Sequence, residues 1–360
     1  QVSVIGTLQR ECNPLKKLRG LWLSALCMSR VCLYVFCYAQ TVQDQNAKCF
    51  WSREEPVLNK MKILDKLGEE VELLCQRPKL AVYDGITMTA HNFPIKFWRE
   101  TRAYTPRDDD IFIVTYPKCG TTWLQEIMFA LFNDRQPKDV VERFANCPFL
   151  EFSGTALTET MYRPGALKIH TRFEHTPYAS NAKYLYCVRN PKDCCVSFYY
   201  HSLKTVEEFG DCTFEEFFEC FMEGKCEFGN YWDHIESWYP HVSAENVLLL
   251  AYEDMKNDII KELGHIGTFL GGEWGEKLKN PDSARKVAEL SSFQNMKKLF
   301  SGSPLFGDNF VRKGVINDWM THLTPQMSQR IEDETYSRLS DLCPQLLKKW
   351  ESYGALSGQK

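Results

Sequence analysis

The sequence predicts an α/β fold with a central parallel sheet flanked by helices, and three observations lead to this prediction. Four apolar runs alternate with helical patterns along the chain, as in folds that alternate strands and helices. The chain has 360 residues, 44% hydrophobic and 25% charged, which is ordinary globular composition and enough for a sizeable core. A glycine-containing loop joins the first run to its helix, so we predict a P-loop-like form of this fold with a phosphate site at the loop.

The first strand is predicted at residues 111–114 (IFIV), and the segment TYPKCGTTW follows it at 115–123. A helix is then predicted from apolar residues spaced three and four apart, namely Leu124, Ile127, Met128 and Leu131. Unpaired backbone N–H groups at the start of this helix, the charge of Lys118 and the hydroxyls of Thr121 and Thr122 suit a phosphate. The loop lacks the G-x-x-x-x-G-K-[ST] spacing, which argues against a kinase or ATPase.

The second strand is predicted at residues 166–170 (ALKIH). Lys168 and His170 are two residues apart and therefore share one face of this strand. A lysine beside a histidine suits proton transfer next to an anion, although a lone histidine is more often structural. Upstream, the aromatic segment PFLEF at 148–152 could either line a pocket or pack in the core.

The third strand is predicted at residues 183–188, and it ends at Arg189. Asn190 is a good N-cap and Pro191 a good first helical residue, so a helix is predicted to run through Ser197 to about residue 203. Arg189 therefore lies where ligands collect in parallel α/β sheets, at a strand end beside a helix start. The fourth strand is predicted at 246–251.

Three segments are predicted along the chain: an N-terminal extension at 1–56, poorly ordered; an accessory helix at 57–79; and one catalytic domain at 80–360. The helix is inferred from apolar residues at helical spacing, including Leu64, Val71 and Leu74. Residues 21–39 are nearly long enough to span a bilayer, but a central arginine there costs about 2.5–3.5 kcal/mol. We therefore expect an extension and no membrane association.

The charge and the cysteine content of the chain limit the partners, the metal sites and the cellular location that we expect. The chain has 43 basic and 47 acidic residues, a net charge of −4, so we expect no nucleic-acid partner. Its 15 cysteines are scattered and form no paired C-x-x-C units, so we expect reduced thiols, no metal site and a cytoplasmic location.

The ordered motifs resemble those of the cytosolic sulfotransferases, which transfer a sulfuryl group from 3′-phosphoadenosine 5′-phosphosulfate (PAPS) to a hydroxyl or amine. The resemblance covers residues 80 to about 325. It depends on TYPKCGTTW at 115–123, PFLEF at 148–152, LKIH at 167–170, VRNPKDCCVSFYYH at 188–201, LAYEDM at 250–255 and VRKGVINDW at 311–319.

The resemblance implies a role for each matching residue. His170 would be the general base, Lys118 would stabilise the leaving oxygen, and Lys168 would assist. Phe149 and Phe152 would line an apolar pocket for a small acceptor. The residues implied in PAPS binding are Lys118, Cys119, Gly120, Thr121, Thr122, Trp123, Arg189, Ser197, Tyr252, Ser291, Phe293, Arg312, Lys313 and Gly314.

The sequence departs from the family pattern at three places. Cys119 replaces the usual Ser, Asn317 replaces the Gly of the G-D-W triplet, and the family's dimer motif is degraded at 320–329. The usual homodimer is therefore left open. Two alternatives also remain: a nucleotide-binding regulator without turnover, and a membrane-anchored sulfotransferase of the secretory pathway.

Overall fold

The computed structural model describes residues 62–76, 79–301, 303 and 310–358. The predictions for residues 1–56, including the apolar stretch at 21–39, lie outside the described residues. Among the helices in the described ranges, none is both long and apolar enough to cross a membrane. The described chain contains two four-stranded sheets.

The second sheet in the chain is parallel and has the strand order β6-β5-β7-β8. All four predicted strands are present, as β5 (Ile111–Thr115), β6 (Leu167–Ile169), β7 (Lys183–Val188) and β8 (Val247–Ala251). Val114 of β5 pairs with Ile169 on one side and Tyr186 on the other. β5 therefore lies between β6 and β7, and the crevice beyond its C-terminal end is where open α/β sheets bind ligands.

Both faces of the parallel sheet are buried, because alternate residues of each strand pack into different cores. Phe112 and Val114 of β5 pack with Tyr186 on one face. Ile113 packs with Leu185 on the other face. Because strands that are covered on both faces consist mainly of apolar residues, such strands can be recognised in the sequence as apolar runs.

Helices cover both faces of this sheet, and most of the predicted ones are present. The helix predicted to end near residue 203 runs to Thr205. The helices are α1 (Ile95–Ala103), α2 (Thr121–Asn133), α3 (Val140–Asn146), α4 (Leu150–Ser153), α5 (Pro191–Thr205), α6 (Phe214–Glu223), α7 (Tyr231–Trp238), α8 (Tyr252–Asn257), α9 (Ile259–Leu270), α10 (Gly272–Lys279), α11 (Pro281–Leu290), α12 (Phe293–Phe300), α13 (Pro325–Leu339) and α14 (Pro344–Ser352).

The first sheet is antiparallel, and it contradicts the predicted accessory helix at 57–79. Its strands are β1 (Lys62–Leu64), β2 (Glu70–Gln76), β3 (Lys79–Tyr83) and β4 (Ile86–Met88). Val71 and Leu73 are buried whereas Leu64 and Leu74 are exposed. Burial in β2 therefore repeats every two residues, as in a strand. The helical spacing was misleading because pairing of β2 with β1 and β3 decides the conformation of this segment. The predicted domain boundary after residue 79 also falls within β3.

The antiparallel sheet has a small core of its own, which reaches the functional site. Its buried residues include Tyr83 and Trp98, and the same cluster contains Phe149 and Phe228. This first sheet therefore supplies one wall beside the C-terminal end of β6.

Candidate active site

The segment after β5 forms a tight loop that opens onto the start of α2. Lys118 and Gly120 both have left-handed backbone conformations, with φ values of 71° and 102°. A Cβ atom at Gly120 would lie 3.1 Å from the Tyr252 ring, so this position requires glycine. The N–H groups in the first turn of α2 have no partner within the helix, which makes the loop an anion site.

A polar cavity lies over this loop and collects cations from distant parts of the chain. No carboxylate is among the described residues that line it. Such a wall attracts a multiply charged anion. The cations are Lys118, Lys168, Arg189, Lys204, Lys256, Arg312 and Lys313.

Arg189 lies at the centre of this wall, directly after β7. Its guanidinium donates hydrogen bonds to the backbone oxygens of Lys118 (3.3 Å) and Val315 (3.1 Å) and lies 4.4 Å from the centre of the Tyr252 ring. Its Nε atom is buried and has no hydrogen-bond partner among the described residues, and the same is true of the indole Nε1 of Trp123. Buried donors are rarely left unpaired, so both are available to a bound ligand.

The segment at 310–315 covers one side of the cavity. Arg312 and Lys313 both donate to the Asp318 carboxylate, at 2.5 Å and 2.6 Å. Gly314 has a φ of 62°, and a Cβ atom there would lie 2.5 Å from the ring of Phe293. The glycine therefore permits close packing of this segment over α12.

Asn317 explains one departure from the family pattern. Its φ is 62°, a left-handed conformation that asparagine tolerates better than most residues with a side chain. Its backbone N–H donates to Asp193 at 2.7 Å, and its amide donates to the Tyr353 backbone oxygen at 2.8 Å. The side chain thus joins the cavity-covering segment to the C-terminal region, which a glycine could not do.

His170 follows β6 and lies at the inner end of the polar cavity. Its Nδ1 atom is 2.7 Å from the backbone oxygen of Thr115. A carbonyl oxygen only accepts, so Nδ1 carries the proton and Nε2 keeps a free lone pair. Burial, reinforced by the charge of Lys168, holds the pKa of His170 well below its ordinary value. The imidazole is therefore neutral and able to accept a proton.

Two lysines near His170 also have shifted pKa values. Burial lowers the pKa of Lys118 to about 8, with a further contribution from Arg189. Burial and the nearby Arg143 lower the pKa of Lys168 to about 7. The ammonium group of Lys168 lies 3.6 Å from the centre of the Phe149 ring. An anion bound between these lysines would restore their charge.

A second, aromatic cavity adjoins the polar one. Phe149 and Phe152 line it as expected, with their rings stacked 6.0 Å apart. The rings of Phe93, Phe144 and Phe310 complete its apolar wall. The residues shared by both cavities, which mark where they join, are Thr122, Lys168, His201, Thr205 and Phe310.

The structure brings most of the predicted cofactor residues to the polar cavity, but Cys119 and Ser291 do not line it. The N–H of Cys119 donates within the loop to the Tyr116 oxygen (3.2 Å), and its thiol is buried against Cys194. The Ser291 hydroxyl donates to the Val287 oxygen at 2.8 Å and is fully buried. Local hydrogen bonding thus occupies both groups.

Several lining residues were missed by sequence reasoning. Tyr200, His201 and Lys204 on α5 all line the polar cavity. They follow Ser197 at helical spacing, so the α5 face could have been predicted once Ser197 was chosen. Lys256 and Phe310 carry no comparable signal, because their position depends on how distant segments pack.

Several known proteins are similar to this chain. The sulfotransferase domain model matches residues 108–348. Human sulfotransferase 1E1 is 32% identical over 260 residues, which cover 66% of this chain and 86% of that protein. Human sulfotransferase 2A1 is 33% identical over 287 residues, covering 75% and 98%.

The fold is also similar to that of a sulfotransferase whose structure has been solved. The crystal structure of mouse sulfotransferase SULT7A1 complexed with PAP has a TM-score of 0.59 and 28% identity, and the match covers 73% of this chain and 94% of that one. The family model spans more than half of the chain, and the human relatives are matched over most of their length. The chain therefore belongs to the sulfotransferase family, which confirms the resemblance predicted from its motifs.

Proposed function

We propose that the protein transfers a sulfuryl group from PAPS to a hydroxyl or amine of a small aromatic or apolar acceptor. One observation carries this proposal: a cation-lined cavity without a described carboxylate joins an aromatic cavity beside a neutral His170. The first cavity suits a nucleotide with phosphate groups at two ends. The second suits an apolar acceptor.

The residues that line the polar cavity are suited to binding PAPS. The mouse relative's structure holds PAP, the desulfated form of that nucleotide. In this chain the start of α2 and Lys118 would hold the 5′ end, and Arg189 with Ser197 would hold the 3′-phosphate. The unpartnered Nε of Arg189 and Nε1 of Trp123 supply donors for such a ligand. Arg312 and Lys313, now paired with Asp318, lie on the same cavity wall.

PAPS, when bound, supplies the sulfuryl group and the phosphate oxygen that departs. His170 Nε2 removes the proton of the acceptor hydroxyl as the new oxygen–sulfur bond forms, a role worth typically ~10²–10⁴-fold in rate. Lys118 neutralises the charge that develops on the departing oxygen when the old bond breaks. Lys168, at the junction of the cavities, stabilises the oxygens of the group in transfer. Positioning and charge stabilisation suffice for such a transfer.

The test is incubation of the protein with sulfur-labelled PAPS and a panel of small phenols, alcohols and amines, together with calorimetric titration of PAP. Labelled product from at least one acceptor supports the proposal. PAP binding without transfer to any acceptor would instead favour the nucleotide-binding regulator. Absence of both would overturn the assignment of the polar cavity.

A further inference from the structure

The aromatic cavity contains a carboxyl group that the proposed chemistry does not use. Glu227, in the connection between α6 and α7, is only 5% exposed and lines the aromatic cavity but not the polar one. Its neighbour Phe228 packs 5.0 Å from the His170 ring, measured between centroids. A buried carboxyl group in a phenylalanine-lined cavity requires partners, because an unpaired one is costly.

Within the described part of the chain, hydrogen bonds reach only one oxygen of this carboxyl group. Oε1 accepts hydrogen bonds from the Thr89 hydroxyl and from the Asn92 amide, the latter at 2.9 Å. Asn92 is itself fixed by a 3.0 Å bond to the Thr205 backbone oxygen. No described residue donates to Oε2 of Glu227. The carboxyl group is therefore held rigidly with one acceptor atom left for another molecule.

The charged groups that share the cavity do not pair with Glu227. Arg143 donates to Gln125 at 2.6 Å and lies 3.7 Å from the Glu126 carboxylate. Lys168 lies over the Phe149 ring, at the junction of the two cavities. Burial raises the pKa of Glu227 to about 7. Glu227 thus gains from any ligand that offers a donor.

We propose that Glu227 selects acceptors that carry a second N–H or O–H group, which donates to Oε2 at the end remote from the reacting group. This inference is based on the proposed function, since it assigns the acceptor to the aromatic cavity. The reacting end must reach His170, which lines only the polar cavity, whereas Glu227 lines only the aromatic one. The acceptor class is therefore an aromatic compound with a nucleophile at one end and an amine or hydroxyl at the other.

Three phenols test this proposal: tyramine, tyrosol and para-ethylphenol, whose side chains end in an ammonium, a hydroxyl and a methyl group. We expect wild-type kcat/KM for tyramine or tyrosol to exceed that for para-ethylphenol by about 10- to 100-fold, the ratio expected when a buried acceptor is left unpaired. Glu227→Gln, which offers an amide N–H in place of the free oxygen, should remove the preference for tyramine over para-ethylphenol, because an ammonium can only donate. A larger effect for tyramine than for tyrosol would identify the donor as an ammonium.

Glu208→Gln is the matched control, because it removes a neighbouring carboxyl group that lines neither cavity. It should leave the preference unchanged. Wild-type activity on all three phenols within about twofold of each other would overturn the role of Glu227 while leaving sulfuryl transfer intact. An equal loss for all three in Glu227→Gln would also overturn it. Failure of the proposed function would appear differently, as no product from any phenol.

Discussion

Replacement of His170 by alanine should abolish most turnover without weakening nucleotide binding. The Thr115 carbonyl, 2.7 Å from Nδ1, fixes the tautomer in which Nε2 is the base, and burial keeps the ring neutral. Loss of a positioned base costs ~10²–10⁴-fold in kcat, which corresponds to about 2.7–5.4 kcal/mol at 1.36 kcal/mol per tenfold. The imidazole is not among the groups proposed to bind the phosphates of PAP. The Kd for PAP should therefore change by less than about threefold, or 0.7 kcal/mol.

Single-turnover transfer from labelled PAPS measures the chemical step, and calorimetry measures PAP affinity. His265→Ala is the control, since that imidazole lies on α9 with 51% of its side chain exposed and lines neither cavity. It should retain wild-type kcat. Retention of more than about one tenth of the wild-type rate by His170→Ala would refute the assignment of the base. A parallel loss of PAP affinity would show instead that the residue shapes the nucleotide site.

Four further predictions concern binding and stability. Arg189→Ala should weaken PAP binding in calorimetry by at least tenfold, because a buried charged donor is worth about 1.5–3 kcal/mol. PAP binding should also weaken as pH rises through about 8, since Lys118 has a lowered pKa and loses its charge there; a flat profile would contradict this. Lys192→Met should lower the free energy of unfolding by about 3–5 kcal/mol, because it leaves the buried carboxylate of Glu332 without its ion-pair partner. The double variant Lys192→Met, Glu332→Leu should recover most of that loss. Asn317→Ala should lower Tm more than Asn317→Gly, because alanine pays about 1–2 kcal/mol for the left-handed backbone; equal Tm values would refute this.

The phosphate loop and the parallel sheet could be predicted from the sequence because their signals are local. β5, β7 and β8 are almost entirely apolar, since both faces of the sheet are buried, and each is followed by a helix start. Lys118 and Arg189 were chosen for their positions at strand ends. In a parallel sheet such ends meet at one edge, and the bond from Arg189 to the Lys118 oxygen shows that they do.

The N-terminal region was predicted wrongly because its apolar spacing fits two periods. Residues 70–76 satisfy a helical pattern and a strand pattern alike, and pairing of β2 with β1 and β3 selects the strand. That pairing places the antiparallel sheet beside the aromatic cavity. The helix or strand propensity of a segment contains no information about the strands with which that segment will pair.

What the sequence determined by itself is the fold class, the loop after β5, and the lysine, arginine and histidine residues at the strand ends, because these depend on local periodicity and capping. Only the tertiary structure decided that Cys119 and Ser291 do not line the cavity, since the Cys119 thiol packs against Cys194, 75 residues away in the chain, and Ser291 is fully buried. It also decided that Glu227 enters the aromatic cavity, because Thr89 and Asn92, more than 130 residues away in the chain, hold its carboxyl group there.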